Sequence, residues 1–216
     1  MTKKILLPSI FILFSCVVSS ASYALAWTTS YPLYIGFSGG WGSTNWSGLV
    51  DKNGAEDGSD LSVPVKAKDT GDVWGALAGY EISPHFALQA EYKQYPTALI
   101  KFDEFNQYFP VAENVESSTD VYNATAKFEV PIWHTGIRAF SNLGPSYTYR
   151  RDALANIGHW GATFGAGFNY DVTRWLMTEV NFEYTTGWDT ANTTPVMDYL
   201  PFLYSVNGLI AVRFNV

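Results

Sequence analysis

Ser141, His159 and Glu179 are of the three types from which a hydrolytic site is assembled: a hydroxyl nucleophile, an imidazole to take its proton, and a carboxylate to orient the imidazole. The chemistry would be attack on an ester carbonyl. It needs the Ser141 oxygen within hydrogen-bond reach of the His159 ring, and the two residues stand on consecutive predicted strands. Without an adjacent base Ser141 is an unactivated hydroxyl. A polar structural cluster is the reading the residue types favour, because polar neighbours of these types arise freely on adjacent strands. His85 and His134 fall in predicted turns and are assigned no role.

Two other constellations read as structure. The acidic stretch Asp51, Asn53, Gly54, Glu56, Asp57, Gly58 and Asp60 has the ligand types for calcium, but its glycine is misplaced for a helix-loop-helix calcium site. A hydrated acidic loop is the expectation. Gly165-Ala166-Gly167 lies within a strand pattern with no helix after it, so it is no phosphate cradle and makes room for a neighbouring inward side chain. No catalytic residue, metal site or cofactor is expected.

The elements that would position these residues are strands. Trp74, Ala76, Ala78, Tyr80 and Ile82 alternate on one strand, and Phe86, Leu88, Ala90 and Tyr92 on the next, across a short Ser83-Pro84-His85 join. A period of two sets an apolar face against a polar one, and each run has about the 9–11 residues that a tilted strand needs to cross a bilayer. Eight such strands are predicted, beginning near Leu33, Asp72, Phe86, Asp120, Ile137, Trp160, Leu176 and Tyr204. Gly144-Pro145 predicts a bulge or an exposed kink in the fifth, since proline removes a ladder donor. Short connections follow the second, fourth and sixth strands. Longer ones run from about Ser47 to Thr70, Pro96 to Thr119 and Thr185 to Leu203. That alternation is the short-turn, long-loop asymmetry of membrane barrels.

The ends and composition agree. Lys3 and Lys4, an apolar run from Ile5 to Val18 and the small-residue site Ala24-Leu25-Ala26 predict a signal peptide over 1–26, leaving one barrel domain over 27–216. Leu13-Phe14-Ser15-Cys16 imitates a lipoprotein box. It ranks second, because Phe14 is bulky there and Val17-Val18 prolong the apolar run. Cys16 is the sole cysteine, so no disulfide framework is available. Loss of Lys3 and Lys4 takes the formal charge from −7 to −9, which excludes nucleic acid as a partner. No later stretch is apolar for 18 residues, so a membrane-spanning form must be a barrel.

Charge and aromatic placement then orient the faces. The polar rows carry Glu81, Glu91, Glu129, Glu179 and Glu183 against Lys93, Lys127, Arg138 and Arg213. A Lys or Arg at the bilayer midplane costs about 2–4 kcal/mol, so these charges are expected in the lumen, where they should pair into a plug. Trp74, Tyr92, Tyr122, Trp160, Tyr184 and Tyr204 stand at the loop end of the apolar rows; Tyr80, Phe86, Phe128, Phe168 and Phe214, with Tyr170, stand at the turn end. Two aromatic rings around a middle of Ala, Val, Leu and Ile read as interfacial girdles.

The run Gly79-Tyr80-Glu81-Ile82-Ser83-Pro84-His85-Phe86-Ala87-Leu88-Gln89-Ala90-Glu91-Tyr92 resembles the strand-turn-strand of small eight-stranded barrels such as the transmembrane domain of outer membrane protein A and the opacity proteins. Ala126-Lys127-Phe128, Gly165 to Asp171 and Glu179 to Tyr184 are similar in style. The resemblance implies an all-β, antiparallel up-and-down barrel in the outer membrane, with outer-membrane lipid, periplasmic chaperones and the barrel-assembly machinery as partners. The chain departs from it in ending at Val216 beyond Phe214, where relatives often end on an aromatic. Some small barrels deacylate lipid A with a serine-histidine pair, which Arg138-Ala139-Phe140-Ser141-Asn142 faintly echoes, but the histidine position is Ala139. The expected role is structural, with loops that engage an extracellular ligand or host surface; a lipid A-modifying enzyme and a narrow solute channel are the alternatives.

Overall fold

The computed structural model describes residues 32–48, 64–102, 114–133, 135–187 and 199–215. The signal segment with Cys16, the acidic loop from Asp51 to Asp60, and His134 lie outside the described residues.

Among the described residues ten strands form: β1 (Leu33–Ser43), β2 (Pro64–Lys68), β3 (Thr70–Ser83), β4 (Phe86–Gln94), β5 (Ala98–Phe102), β6 (Asn114–Pro131), β7 (Ile137–Arg151), β8 (Asn156–Asp171), β9 (Leu176–Thr185) and β10 (Leu203–Phe214). Eight of them close a barrel in the order β1-β3-β4-β6-β7-β8-β9-β10, with β10 returning to pair β1, every pairing antiparallel. This is the all-β, eight-stranded closure expected from the period of two. Closure leaves no unpaired edge around the wall.

Two strands were not foreseen. β2 and β5, short segments within stretches read as loops, pair with each other, and β5 pairs with the start of β6. β6 therefore begins at Asn114, six residues before its predicted start, and carries the wall beyond the barrel. The sequence hid this extension because β2 opens on Pro64 and alternates lysine with small residues, a composition that signals a loop.

The predicted kink at Gly144-Pro145 takes another form. The β6 and β7 register is the same on either side of it, Asn123 opposite Ser146 and Ala126 opposite Leu143, so no residue is inserted. The ladder is simply interrupted at Pro145, which lacks an N–H. Gly144 lets β7 close up on β6 there, since a Cβ would stand 2.0 Å from the Ala124 carbonyl oxygen.

The short turns pack on one another at one end. His85 accepts a backbone hydrogen bond from Glu129 N at 3.0 Å, and its ring Nδ1 lies 2.9 Å from the Glu129 carbonyl oxygen. The β6–β7 turn turns at Trp133 (φ 44°) and Gly136 (φ 74°), both left-handed.

Candidate functional site: the lumen and the extracellular cap

The barrel interior is layered. The nine charged residues read from the sequence all occupy inward positions, and side chains from separate strands meet there. At the loop-side layer, Lys93 on β4 pairs with Glu183 on β9 and sits 3.3 Å from Glu91. Asn142 donates to Glu183 at 3.1 Å and Ser38 to Glu91 at 3.2 Å. In the next layer Lys127 on β6 reaches Glu179 on β9 at 2.5 Å and Glu129 at 3.4 Å, with its ammonium 4.1 Å from the centre of the Phe140 ring. Toward the turn end, Arg213 on β10 pairs with Glu81 on β3 at 2.6 Å and with Asp171 at 3.0 Å. Arg138 on β7 lies 3.0 Å from Glu129, 3.1 Å from Asp171 and 3.6 Å from Glu81.

These links cross the lumen. In the ring of eight, β4 and β9 have three strands between them on either side, so the Lys93–Glu183 pair spans the full width. Tyr95 after β4 likewise meets Ser205 on β10, hydroxyl to hydroxyl at 3.4 Å. Buried charges are tolerated when paired and hydrogen-bonded, and each of these lies in such a group.

Apolar side chains share the interior, which alternation alone did not reveal. Tyr34, Leu77, Ala87, Met177, Leu209 and Ala211 form one buried cluster, and Val73, Tyr95, Val121 and Leu203 another. Tyr34 lies over Gly79, where a Cβ would come within 2.2 Å of its ring, and its hydroxyl donates to Gln89 at 3.1 Å. Gly165 and Gly167 make the same kind of room: added Cβ atoms would meet Asn142 Oδ1 at 2.6 Å and the Phe140 ring at 2.7 Å. Alternation places Met177 on the inward row of Glu179 and Glu183, but it does not show that the apolar side chains of separate inward rows meet one another.

The outer face carries the predicted aromatics. Trp74, Tyr92 and Tyr122 form a continuous ladder with ring centres 5.7 and 5.2 Å apart, and Tyr147 packs on Trp160 at 5.3 Å. Tyr184 stacks on Phe202, and Tyr204 stands opposite Tyr184 in the ladder. At the other end Phe86 meets Phe128 at 5.2 Å, with Tyr80, Phe168, Tyr170 and Phe214 on the same outer surface. Exposed Trp133 and Trp175, in the turns at this end, extend that ring; both were missed because they lie outside the strand pattern. The expected aliphatic middle is present, with Ile35, Val180, Val206 and Ile210 outward on β1, β9 and β10, but it is interrupted by rings on that side. Ala76, Ala78, Ala90, Ala124 and Ala126 line β3, β4 and β6, whereas outward Phe37 and Phe182 place large rings in the middle of β1 and β9.

Ser141 and His159 are not brought together. Ser141 faces outward, opposite Ala166, while His159 pairs with Thr148, seven ladder positions along β7, and shares the inward row of Thr163 and Asn169. Among the described residues no group of three His, Cys, Asp or Glu side chains is placed to hold a metal ion.

Above the loop-side aromatics a cap lies over the mouth. Asp69, between β2 and β3, clamps the segment after β1: its carboxylate accepts from Ser47 N and Oγ, both at 2.8 Å, and its carbonyl from Thr44 N at 3.0 Å. This directs Trp46 inward, where it packs with Ala98, Ile100, Val115 and Tyr199 in a buried cluster. The Trp46 and Tyr199 rings meet edge-on at 4.9 Å. Arg150 on β7 lies 4.7 Å from the Trp46 ring, pairs with Asp152 at 2.5 Å, and donates to the Tyr199 carbonyl at 2.7 Å. A cation stacked on an indole and held by two acceptors fixes the cap to the barrel wall.

Comparison with known proteins places this geometry. A family model described as the outer membrane protein beta-barrel domain matches residues 10–199. Among solved structures, Neisserial surface protein A aligns over 84% of this chain and 97% of its own at 14% identity, with a TM-score of 0.55. The outer membrane protein OprG from Pseudomonas aeruginosa aligns over 86% and 97% at 11% identity, with a TM-score of 0.51. At such identities the likeness is one of fold. No curated protein matches the sequence.

Proposed function

Because the chain belongs to the outer membrane protein beta-barrel domain family and is an integral β-barrel of the outer membrane, we propose that it is a sealed scaffold that presents a surface-recognition platform outside the cell. The observation that carries this reading is the cap. β2, β5 and the first residues of β6 continue the wall past the aromatic ring, and the Trp46–Arg150–Tyr199 cluster holds them over the mouth. A rigid base under loops is where binding surfaces are built. The sealed lumen is supported by pairs such as Lys93–Glu183 that join opposite walls.

The proposed role is non-enzymatic and uses no cofactor. Ser141 on the outer face and His159 on the inner row cannot exchange a proton, which disfavours lipid A modification by that pair. Cells displaying the full chain are expected to adhere to immobilised host-matrix components. A chain in which 64–68 and 98–102 are replaced by glycine-serine linkers should lose adhesion while keeping its barrel, read as a faster-migrating band before boiling than after. Equal adhesion of the two, or none by the intact chain, would overturn the reading.

A further inference from the structure

The inward charges of the wall do not balance. Glu81, Glu91, Glu129, Glu179 and Glu183, all buried, face Lys93, Lys127, Arg138 and Arg213. Toward the turn end the sharing is even: Lys127, Arg138 and Arg213 serve Glu81, Glu129 and Glu179, and the further acid there, Asp171, is part-exposed at the rim. At the loop side Lys93 alone serves both Glu91 and Glu183. One negative charge is therefore left over in the layer where all three side chains are only 1% exposed.

The loops are no source for the balancing charge. The bases of the chain outside the described residues are Lys3 and Lys4, in the predicted signal segment, and Lys52. The buried cluster of Val73, Tyr95, Val121 and Leu203 lies on the loop side of the layer, Tyr95 being the next inward residue after Lys93. A buried charge without a partner is costly, so the surplus calls for a cation within the lumen.

The same layer holds oxygens without donors. Glu91 Oε2, Asn123 Oδ1, Asn142 Oδ1 and Asn207 Oδ1 are buried and accept no hydrogen bond among the described residues. Asn123 stands directly opposite Glu91 in the ladder. Asn142 Nδ2 is turned to Glu183 at 3.1 Å, and Asn207 Nδ2 to Asn181 Oδ1 at 3.2 Å and Ser205 at 2.8 Å, while Asn181 donates to Glu183 at 3.3 Å. The amide donors are spent on this group and the oxygens remain. Asn142 Oδ1 lies over Gly165 and Asn207 Oδ1 over Gly40, where an added Cβ would come within 2.6 and 2.9 Å. A proton would neutralise the charge but satisfy one acceptor; a cation takes several oxygens at once. An all-oxygen set selects a hard ion, and a surplus of one charge selects a monovalent one.

We propose that the loop-side layer of the lumen holds one structural alkali-metal cation, bound at Glu91 Oε2 and Asn123 Oδ1, with the Asn142 and Asn207 oxygens as the further ligands available to it. The ion is the fifth cation of the plug. It leaves the Lys93–Glu183 pair free to join the walls.

The test refolds the full mature chain into detergent micelles in sodium, potassium or rubidium chloride, passes it by gel filtration into N-methyl-D-glucamine chloride, and reads its metal content by inductively coupled plasma mass spectrometry. The wild type should keep about one alkali ion per chain from at least one of these salts, and its urea midpoint in that salt should exceed the midpoint in N-methyl-D-glucamine chloride at equal ionic strength. Glu91→Gln, which removes the surplus charge, should retain roughly tenfold less and should unfold at the same midpoint in every salt, no lower than the wild type without alkali ions. A Glu91 that only held the wall together would instead cost stability in every salt and leave the ion content alone. Asn123→Ala, expected to lose the ion likewise, serves if Glu91→Gln shows no folded, fast-migrating band. Folded wild type that keeps no alkali ion from any of the salts would overturn the proposal and leave a proton as the compensating charge. Equal retention by the wild type and the folded variants would also overturn it, as an adventitious ion only.

Discussion

Lys93 on β4 and Glu183 on β9 pair across the full width of the barrel, with three strands between them by either route around the wall. Both side chains are buried, and Glu91, Asn142 and Asn181 complete the group. A contact of this kind ties opposite walls together as a strut.

Removing one member of such a group leaves the others buried and uncompensated. Lys93→Met should therefore destabilise the barrel by about 3–5 kcal/mol, read as a lower urea midpoint in vesicles. Adding Glu91→Gln and Glu183→Gln to Lys93→Met should recover much of that loss, because the stranded carboxylates are then neutral. A triple variant no more stable than Lys93→Met would contradict the strut.

Tyr34 occupies space that only a residue without a Cβ at position 79 can grant. Gly79→Ala should cost about 1–3 kcal/mol through overpacking. Tyr34→Leu in the Gly79→Ala background should restore part of it, so a thermodynamic cycle on the two sites should show coupling of at least about 0.5 kcal/mol. Additive losses would mean that the ring can move aside freely.

The cap and the barrel should fail separately. Trp46→Ala removes the centre of the cluster that holds β5 and the Tyr199 segment, and local units of a protein open independently when their own contacts are lost. Faster hydrogen exchange at the β5 amides is expected, with heat-dependent gel mobility unchanged. Loss of the folded, fast-migrating band would show instead that the cap is integral to the barrel.

Ser141→Ala combined with His159→Gln should leave the lipid A of expressing cells unchanged, judged by mass spectrometry, since the two side chains lie on opposite faces of the wall. A change in acylation would contradict this and implicate Ser141 or His159 in lipid A modification.

The wall was readable from the sequence because a single physical rule, alternation with lysine and arginine kept from lipid, governs every barrel strand. Lys127 between Ala126 and Phe128 already states which way each neighbour points. The interior was only partly readable. Met177 shares the row of Glu179 and Glu183 and its direction was readable, but Leu77 and Leu209, on rows of glycine, small and polar residues, give no sign that apolar side chains meet across the lumen. The cap was not readable. Trp46 and Tyr199 come together through loops whose pairing depends on contacts distant in sequence, and Pro64 and the lysines of β2 disguise a strand as a loop.

The central claim is that the cross-wall pairs seal the barrel. Its most direct test is single-channel recording of the refolded chain in planar bilayers, with insertion verified by gel mobility. The sealed scaffold predicts no resolved conductance steps from the wild type at either polarity. Discrete openings of the wild-type chain, growing when Lys93 or Arg138 is neutralised, would contradict it and identify a narrow channel instead.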